Sequence, residues 1–114
     1  MVLFGIKSCD TCRKAAKAIE KNGKIVDFWA VRERPLSRET LNRFLKEFGD
    51  ELANRRSTTW RNLAETERQQ PLAQLLLDHP TLMKRPVIET AGGLTLGWDS
   101  SVQAKHLGEQ RHDH

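Results

Sequence analysis

Cys9-Asp10-Thr11-Cys12 is the tetrapeptide in this chain best suited to chemistry. A thiol reacts as its thiolate, so a cysteine is a nucleophile only where its surroundings favour loss of the proton. Unpaired backbone N–H groups at the start of a helix do that, and Lys7, Arg13 and Lys14 add positive charge close by in sequence. Cys9 is therefore the candidate attacking thiol. Cys12 lies three residues on, within reach for a disulfide, and opens an apolar stripe with Ala15, Ala16 and Ile19. It is expected to be the less exposed of the two and, if it reacts, to act as the resolving thiol.

The same two residues admit other roles. Cysteine is often a small buried apolar side chain. A C-x-x-C can also be half of a zinc site, with His79 or His106 completing it. The histidines lack H-x₃₋₅-H spacing and no second cluster of ligands is present, so no metal is expected. The position of the pair, directly after a strand of a βαβ unit, favours redox chemistry over both alternatives.

The elements that must hold the pair follow from hydrophobic periodicity. Val2 to Ile6 is an apolar run that predicts a buried strand. Cys12, Ala15, Ala16 and Ile19 repeat at helical spacing opposite Arg13, Lys14, Lys17 and Lys21. Ser8 or Asp10 is placed to cap that helix, and Asn22-Gly23 ends it. Lys24 to Val31 predicts a second strand, parallel to the first across a βαβ crossover. Pro35-Leu36-Ser37 opens a further helix with Leu41, Phe44, Leu45 and Phe48 on one face and Gly49 as its stop. Between Asp50 and His79 no strand is expected. Trp60, Leu63 and Ala64 suggest a helical piece, and Pro71 starts another with Leu72, Leu75 and Leu76. Pro86 to Glu89, a Gly92-Gly93 turn and Leu94 to Leu96 predict a hairpin. Asp99-Ser100-Ser101 begins a last short helix through Val102, and a polar tail over 109–114 is expected to fray.

At 114 residues the chain fits one domain with its own core. Lys and Arg exceed Asp and Glu by 19 to 15, and they are spread along the chain rather than run together. That distribution suits a small anionic ligand and argues against a nucleic-acid-binding arm. No apolar run approaches the ~18 residues of a membrane span, and no signal peptide is expected. The expected location is the cytoplasm.

Four segments together resemble the ArsC-like group of the thioredoxin-like superfamily, which includes arsenate reductases, Spx regulators and YffB-type proteins. They are Gly5 to Thr11, Arg56-Ser57-Thr58-Thr59-Trp60, His79 to Ile88, and Leu96-Gly97-Trp98. Within that group the pattern looks most like the YffB-type proteins. The resemblance implies an α/β, thioredoxin-like fold: one domain over 1–114, a four-stranded mixed sheet flanked by helices, and a helical insertion at about 50–79. It makes Cys9 the nucleophile. It also implies that Arg56 (with Arg55 adjoining it) and Arg85 hold an oxyanion or carboxylate beside the thiol, a task suited to the planar guanidinium fork. Arg85 precedes Pro86, where the family has a cis-proline, next to which an extended peptide or glutathione can pair with the backbone.

The function this resemblance implies is a thiol–disulfide reductase with glutathione as co-substrate, acting on a small thiol or disulfide or on a protein disulfide. Catalytic residues would be Cys9 and Cys12. Arg56, Arg85, Pro86 and Lys7 would bind the anionic thiol, and no metal or prosthetic group would be needed. Two relatives give alternatives. Arsenate reductases of the group carry a third arginine where this chain has Gly97-Trp98, and a histidine before the nucleophile where this chain has Phe4 to Ser8. Both differences weaken an arsenate site. Spx regulators share the C-x-x-C and bind RNA polymerase, usually with a longer C-terminal segment.

Overall fold

The computed structural model describes residues 1–107; the expected fraying of 109–114 lies outside them. Two compact units are formed. Residues 1–30 join the segment from Arg85 onward in the first, and residues 31–84 make the second.

The first unit is built on a mixed four-stranded sheet of order β2-β1-β3-β4. Its strands are β1 (Val2–Gly5), β2 (Asp27–Ala30), β3 (Val87–Thr90) and β4 (Gly93–Leu96). β1 runs parallel to β2, and β3 is antiparallel to both β1 and β4. Helix α1 (Asp10–Lys21) links β1 to β2, as the βαβ pattern predicts. Leu3 and Ile88 lie side by side in the β1–β3 register. They join Cys12, Ala15 and Ile19 of α1 in one buried cluster. The period of the buried α1 residues is the one read from sequence, and Arg13, Lys14, Lys17 and Lys21 are exposed.

β2 is shorter than the expected 24–31. β1 begins only at Val2, whose partner is Asp27, so Lys24 to Val26 have no strand to pair with, and Ile25 is left 87% exposed. The hairpin forms between Val87 and Leu96, with Thr90 opposite Gly93. A final helix (Ser100–Leu107, called α6 below) runs well past Val102; the Asp99 carboxylate accepts from the Val102 amide at 2.9 Å and caps it.

The second unit lies between β2 and β3 in sequence and is helical. Its α-helices are α2 (Arg38–Phe48), α3 (Thr58–Arg61), α4 (Glu65–Arg68) and α5 (Leu72–Asp78), with 3₁₀ turns at Gly49–Leu52 and Pro80–Leu82. The helical stretch expected at 50–79 falls inside it. The helical piece expected around Trp60 is two separate turns. Ser57 caps the first by accepting from the Trp60 amide, and the Glu67 carboxylate accepts from the Ala64 amide to start the second. Buried Leu41 and Phe44 of α2 and Leu75 and Leu76 of α5 supply its apolar interior, with Leu52, Leu82 and Met83. Among the described residues no helix is long and apolar enough to cross a membrane.

Candidate active site

β1 ends at Gly5, and a tight turn through Ile6, Lys7 and Ser8 delivers Cys9 to the start of α1. The Cys9 amide donates to the Ile6 carbonyl at 3.0 Å, and the Cys9 carbonyl accepts from the Arg13 amide at 3.1 Å. Cys9 itself is therefore the N-cap residue, with extended backbone dihedrals, in place of the expected Ser8 or Asp10. The turn simply closes one residue later than Ser8. Its sulfur makes no conventional capping hydrogen bond. It stands nonetheless where the first-turn N–H groups favour negative charge.

The two thiols are pushed in opposite directions. Burial raises the Cys9 pKa, but the Cys12 amide and thiol and then the Arg85 guanidinium outweigh it, so the group lies below an ordinary thiol. Cys12 is fully buried, and burial together with the neighbouring Cys9 pushes its thiol up to about 12; the Ile6 amide facing its sulfur offsets this only in part. Both cysteines are free thiols, Cys9 half-buried and Cys12 buried. At neutral pH the charge thus favours the reachable sulfur, and Cys12 keeps its proton.

Arg85 reaches Cys9 because of sheet register. Phe4 pairs with Val87, so β1 leaves the sheet toward Cys9 at the same end at which Arg85 and Pro86 enter it. Arg85 is half-buried, Pro86 is buried, and the peptide bond between them is cis. The Pro86 carbonyl accepts from the Gly97 amide at 2.8 Å, which ties this entry to the end of β4. Gly97 has φ +83°, a conformation in which a side chain is disfavoured.

The remaining residues named from sequence are placed differently. Lys7 is an exposed turn residue. Arg13 is exposed and engaged with the Asp10 carboxylate. Among the described residues, the Arg85 guanidinium is a cation that lowers the Cys9 pKa. Arg56 belongs to the second unit, on an exposed loop, where its amide donates to Asn54 Oδ1 and its carbonyl accepts from Arg61. It lines a shallow cleft there with Glu51, Asn54, Arg55 and Lys84. The Arg55 and Arg68 guanidinium groups each lie 5.2 Å from the centre of the Trp60 ring. His79, weighed as a metal ligand, faces Glu67 at 3.4 Å. His106 is buried in the first unit, its Nε2 at 2.9 Å from Thr95 Oγ1.

The sequence marks Gly5 only as part of the nucleophile loop, whereas in the structure it makes room for Cys12. A Cβ on this residue would stand 2.6 Å from Cys12 Sγ. A glycine closing an apolar strand just before a C-x-x-C is the signal that carries it, since glycine in a strand often marks a close approach.

Residues 4–105 match the ArsC family. A Haemophilus influenzae protein is 36% identical over 104 residues, covering 87% of this chain and 91% of its own. Among solved structures, the YFFB protein superposes with a TM-score of 0.85 at 33% identity, covering 93% of this chain and 97% of its own. An arsenate reductase (ArsC) related protein from Brucella melitensis gives a TM-score of 0.71 at 35% identity, over 92% of both chains. With its mixed sheet, the cysteine at the mouth of α1 and the arginine before a cis-proline, the chain belongs to the ArsC family.

Proposed function

We propose that the protein is a thiol–disulfide reductase that uses glutathione, with Cys9 as its nucleophile. The observation that carries this is the half-buried Cys9 sulfur at the N-cap of α1, held below the ordinary thiol range by the Cys12 donors and the Arg85 guanidinium. The ArsC-family match and the arsenate-reductase-related neighbour support reductase chemistry in general.

In the proposed cycle the Cys9 thiolate attacks a disulfide RS–SR′. A Cys9–S–SR bond forms, the S–S bond of the substrate breaks, and R′S⁻ leaves and takes a proton from solvent. Either Cys12 attacks the Cys9 sulfur, forming a Cys9–Cys12 disulfide and releasing RS⁻, and two glutathiones in turn reduce that disulfide to two thiols and GSSG; or glutathione attacks the outer sulfur, releasing Cys9 as the thiolate and GS–SR, which a second glutathione converts to RSH and GSSG. With glutathione in both reducing steps the balance is RS–SR′ + 2 GSH → RSH + R′SH + GSSG. Arg85 steadies the Cys9 thiolate each time it is formed. In this reading Lys7 meets a carboxylate of the tripeptide, and the Arg85–Pro86 segment lies alongside it. A reducing cytoplasm would keep both cysteines as thiols.

The test is incubation with glutathione disulfide followed by mass mapping, together with turnover of a disulfide substrate in the presence of glutathione. A single adduct on Cys9, and loss of turnover in Cys9→Ser, are expected. An adduct confined to Cys12, or full turnover in Cys9→Ser, would remove Cys9 from the role.

A further inference from the structure

Gly5 is buried at the end of β1, opposite Ala30 of β2, so the sheet carries almost no side-chain bulk at that point. Its φ lies outside the left-handed region, so backbone conformation does not demand glycine. Space does. An added Cβ would lie 2.6 Å from Cys12 Sγ, 3.1 Å from Cys12 Cβ and 3.2 Å from Leu3 Cδ2. Carbon atoms in contact prefer about 3.5–4.0 Å, so the sulfur would have to move. It has little room, because Cys12 is fully buried in the cluster of Leu3, Ala15, Ile19 and Ile88. One side of the Cys12 sulfur faces the Ile6 amide and another faces Cys9.

We propose that Gly5 and Cys12 are positioning residues for the nucleophile: the bare Cα of Gly5 is the seat on which the Cys12 side chain rests, and that seat aims the Cys12 S–H at the Cys9 sulfur. The inference rests on the reading of Cys9 as the attacking thiol and adds to it the residues that set its reactivity. The direction of donation follows from burial. The fully enclosed sulfur keeps its proton and donates; the half-buried one gives its proton up and accepts. Arg85 approaches from β3, while the Cys12 donors come from α1, so Cys9 is held from two elements. The Cys12 contact exists only because β1 offers no side chain beneath it.

The experiment follows alkylation of Cys9 by iodoacetamide against pH, with the site mapped by mass, in wild type, Gly5→Ala, Cys12→Ala, Cys12→Ser and Gly5→Ala/Cys12→Ala. Circular dichroism and thermal melts check the fold. Gly5→Ala and Cys12→Ala are each expected to slow alkylation several-fold at pH 7 and to move the midpoint of the profile upward. Cys12→Ser keeps a donor of similar size and should keep a low midpoint. In the Cys12→Ala background Gly5→Ala should move the midpoint no further, because the residues act through one another. A role confined to packing would lower the melting temperature and leave the midpoint where it was, and that result overturns the proposal. Should Gly5→Ala fail to fold, the Cys12→Ala and Cys12→Ser pair decides: a wild-type profile in folded Cys12→Ala refutes the inference. An ordinary thiol profile in the wild type would bring down the nucleophile reading itself, so the two failures are distinguishable.

Discussion

Val2 and Glu89 lie in the two separate sequence segments that make up the first unit, and stand side by side in its sheet. In the second unit most ties span only a few residues. Ser37 accepts from Thr40, Ser57 accepts from Trp60 and donates to Asn54, and the Glu67 carboxylate accepts from the Ala64 amide. Its long-range backbone links cluster where the two 3₁₀ turns meet, between Leu52 to Asn54 and Leu82 to Lys84. The thiol site is assembled in the unit of long reach. Cys9 comes from the end of β1, its donors from α1, and its guanidinium from the entry to β3. Such a site depends on strand register, whereas the second unit's turns depend on their own caps.

The sharpest way to break that contrast is to loosen β3. Ile88 is fully buried against Leu3 and the α1 cluster. Ile88→Ala is expected to cost about 2–5 kcal/mol by denaturant titration, the usual range for emptying a core aliphatic site. If register controls the site, the same variant, still folded below its midpoint, alkylates at Cys9 more slowly at pH 7. A destabilised variant with unchanged Cys9 reactivity would mean that local sequence around the C-x-x-C sets its chemistry, and the contrast would fail.

Arg85→Gln removes the charge without loosening the strand. The midpoint for Cys9 alkylation should rise, and the rate at pH 7 should fall several-fold. The Cys12 donors remain, so some acidity should survive. An unchanged profile would leave α1 alone responsible for the thiol. In the second unit the matching probe is Ser57→Ala, which deletes both the cap to Trp60 and the bond to Asn54. An N-cap of this kind is worth about 1 kcal/mol. A loss far above that in a urea melt would show that the α3 turn is tied to more than its neighbours.

What could be read from sequence follows the same division. The buried stripe of α1 is written in its period, because a helix places residues by a fixed local rule. The Arg85-Pro86 step and the glycine hairpin are local too. Three features were not legible in that way. The late start of β2 depends on where β1 begins. The break between α3 and α4 turns on which of several polar residues finds a partner. The task of Gly5 appears in full only when the first turn of α1 is laid on β1: a glycine at the end of an apolar strand signals a close approach without naming the atom it makes room for.

The smallest expected effect concerns His106, buried on α6 with Nε2 at 2.9 Å from Thr95 and its ring stacked 6.3 Å from that of Trp98. Burial, then the positive charges of Lys24 and Lys105, hold its pKa below the ordinary value of 6.5. Lys24 also donates to the His106 carbonyl at 2.8 Å, tying the end of α6 to the turn after α1. The sign follows from proton counting. Above pH 6.5 the ring is neutral in both folded and unfolded chains. As pH falls below that value the unfolded chain takes up a proton that the folded one resists, so stability drops. Once the folded ring also titrates, the drop levels off. Denaturant melts at pH 7.5 and 5.5 should therefore show a loss in wild type that is reduced in His106→Gln, which cannot titrate and can still hydrogen-bond to Thr95. An equal loss in both proteins would assign the acid sensitivity to other groups. It would also remove His106 from the contacts that make this unit's long-range assembly depend on pH.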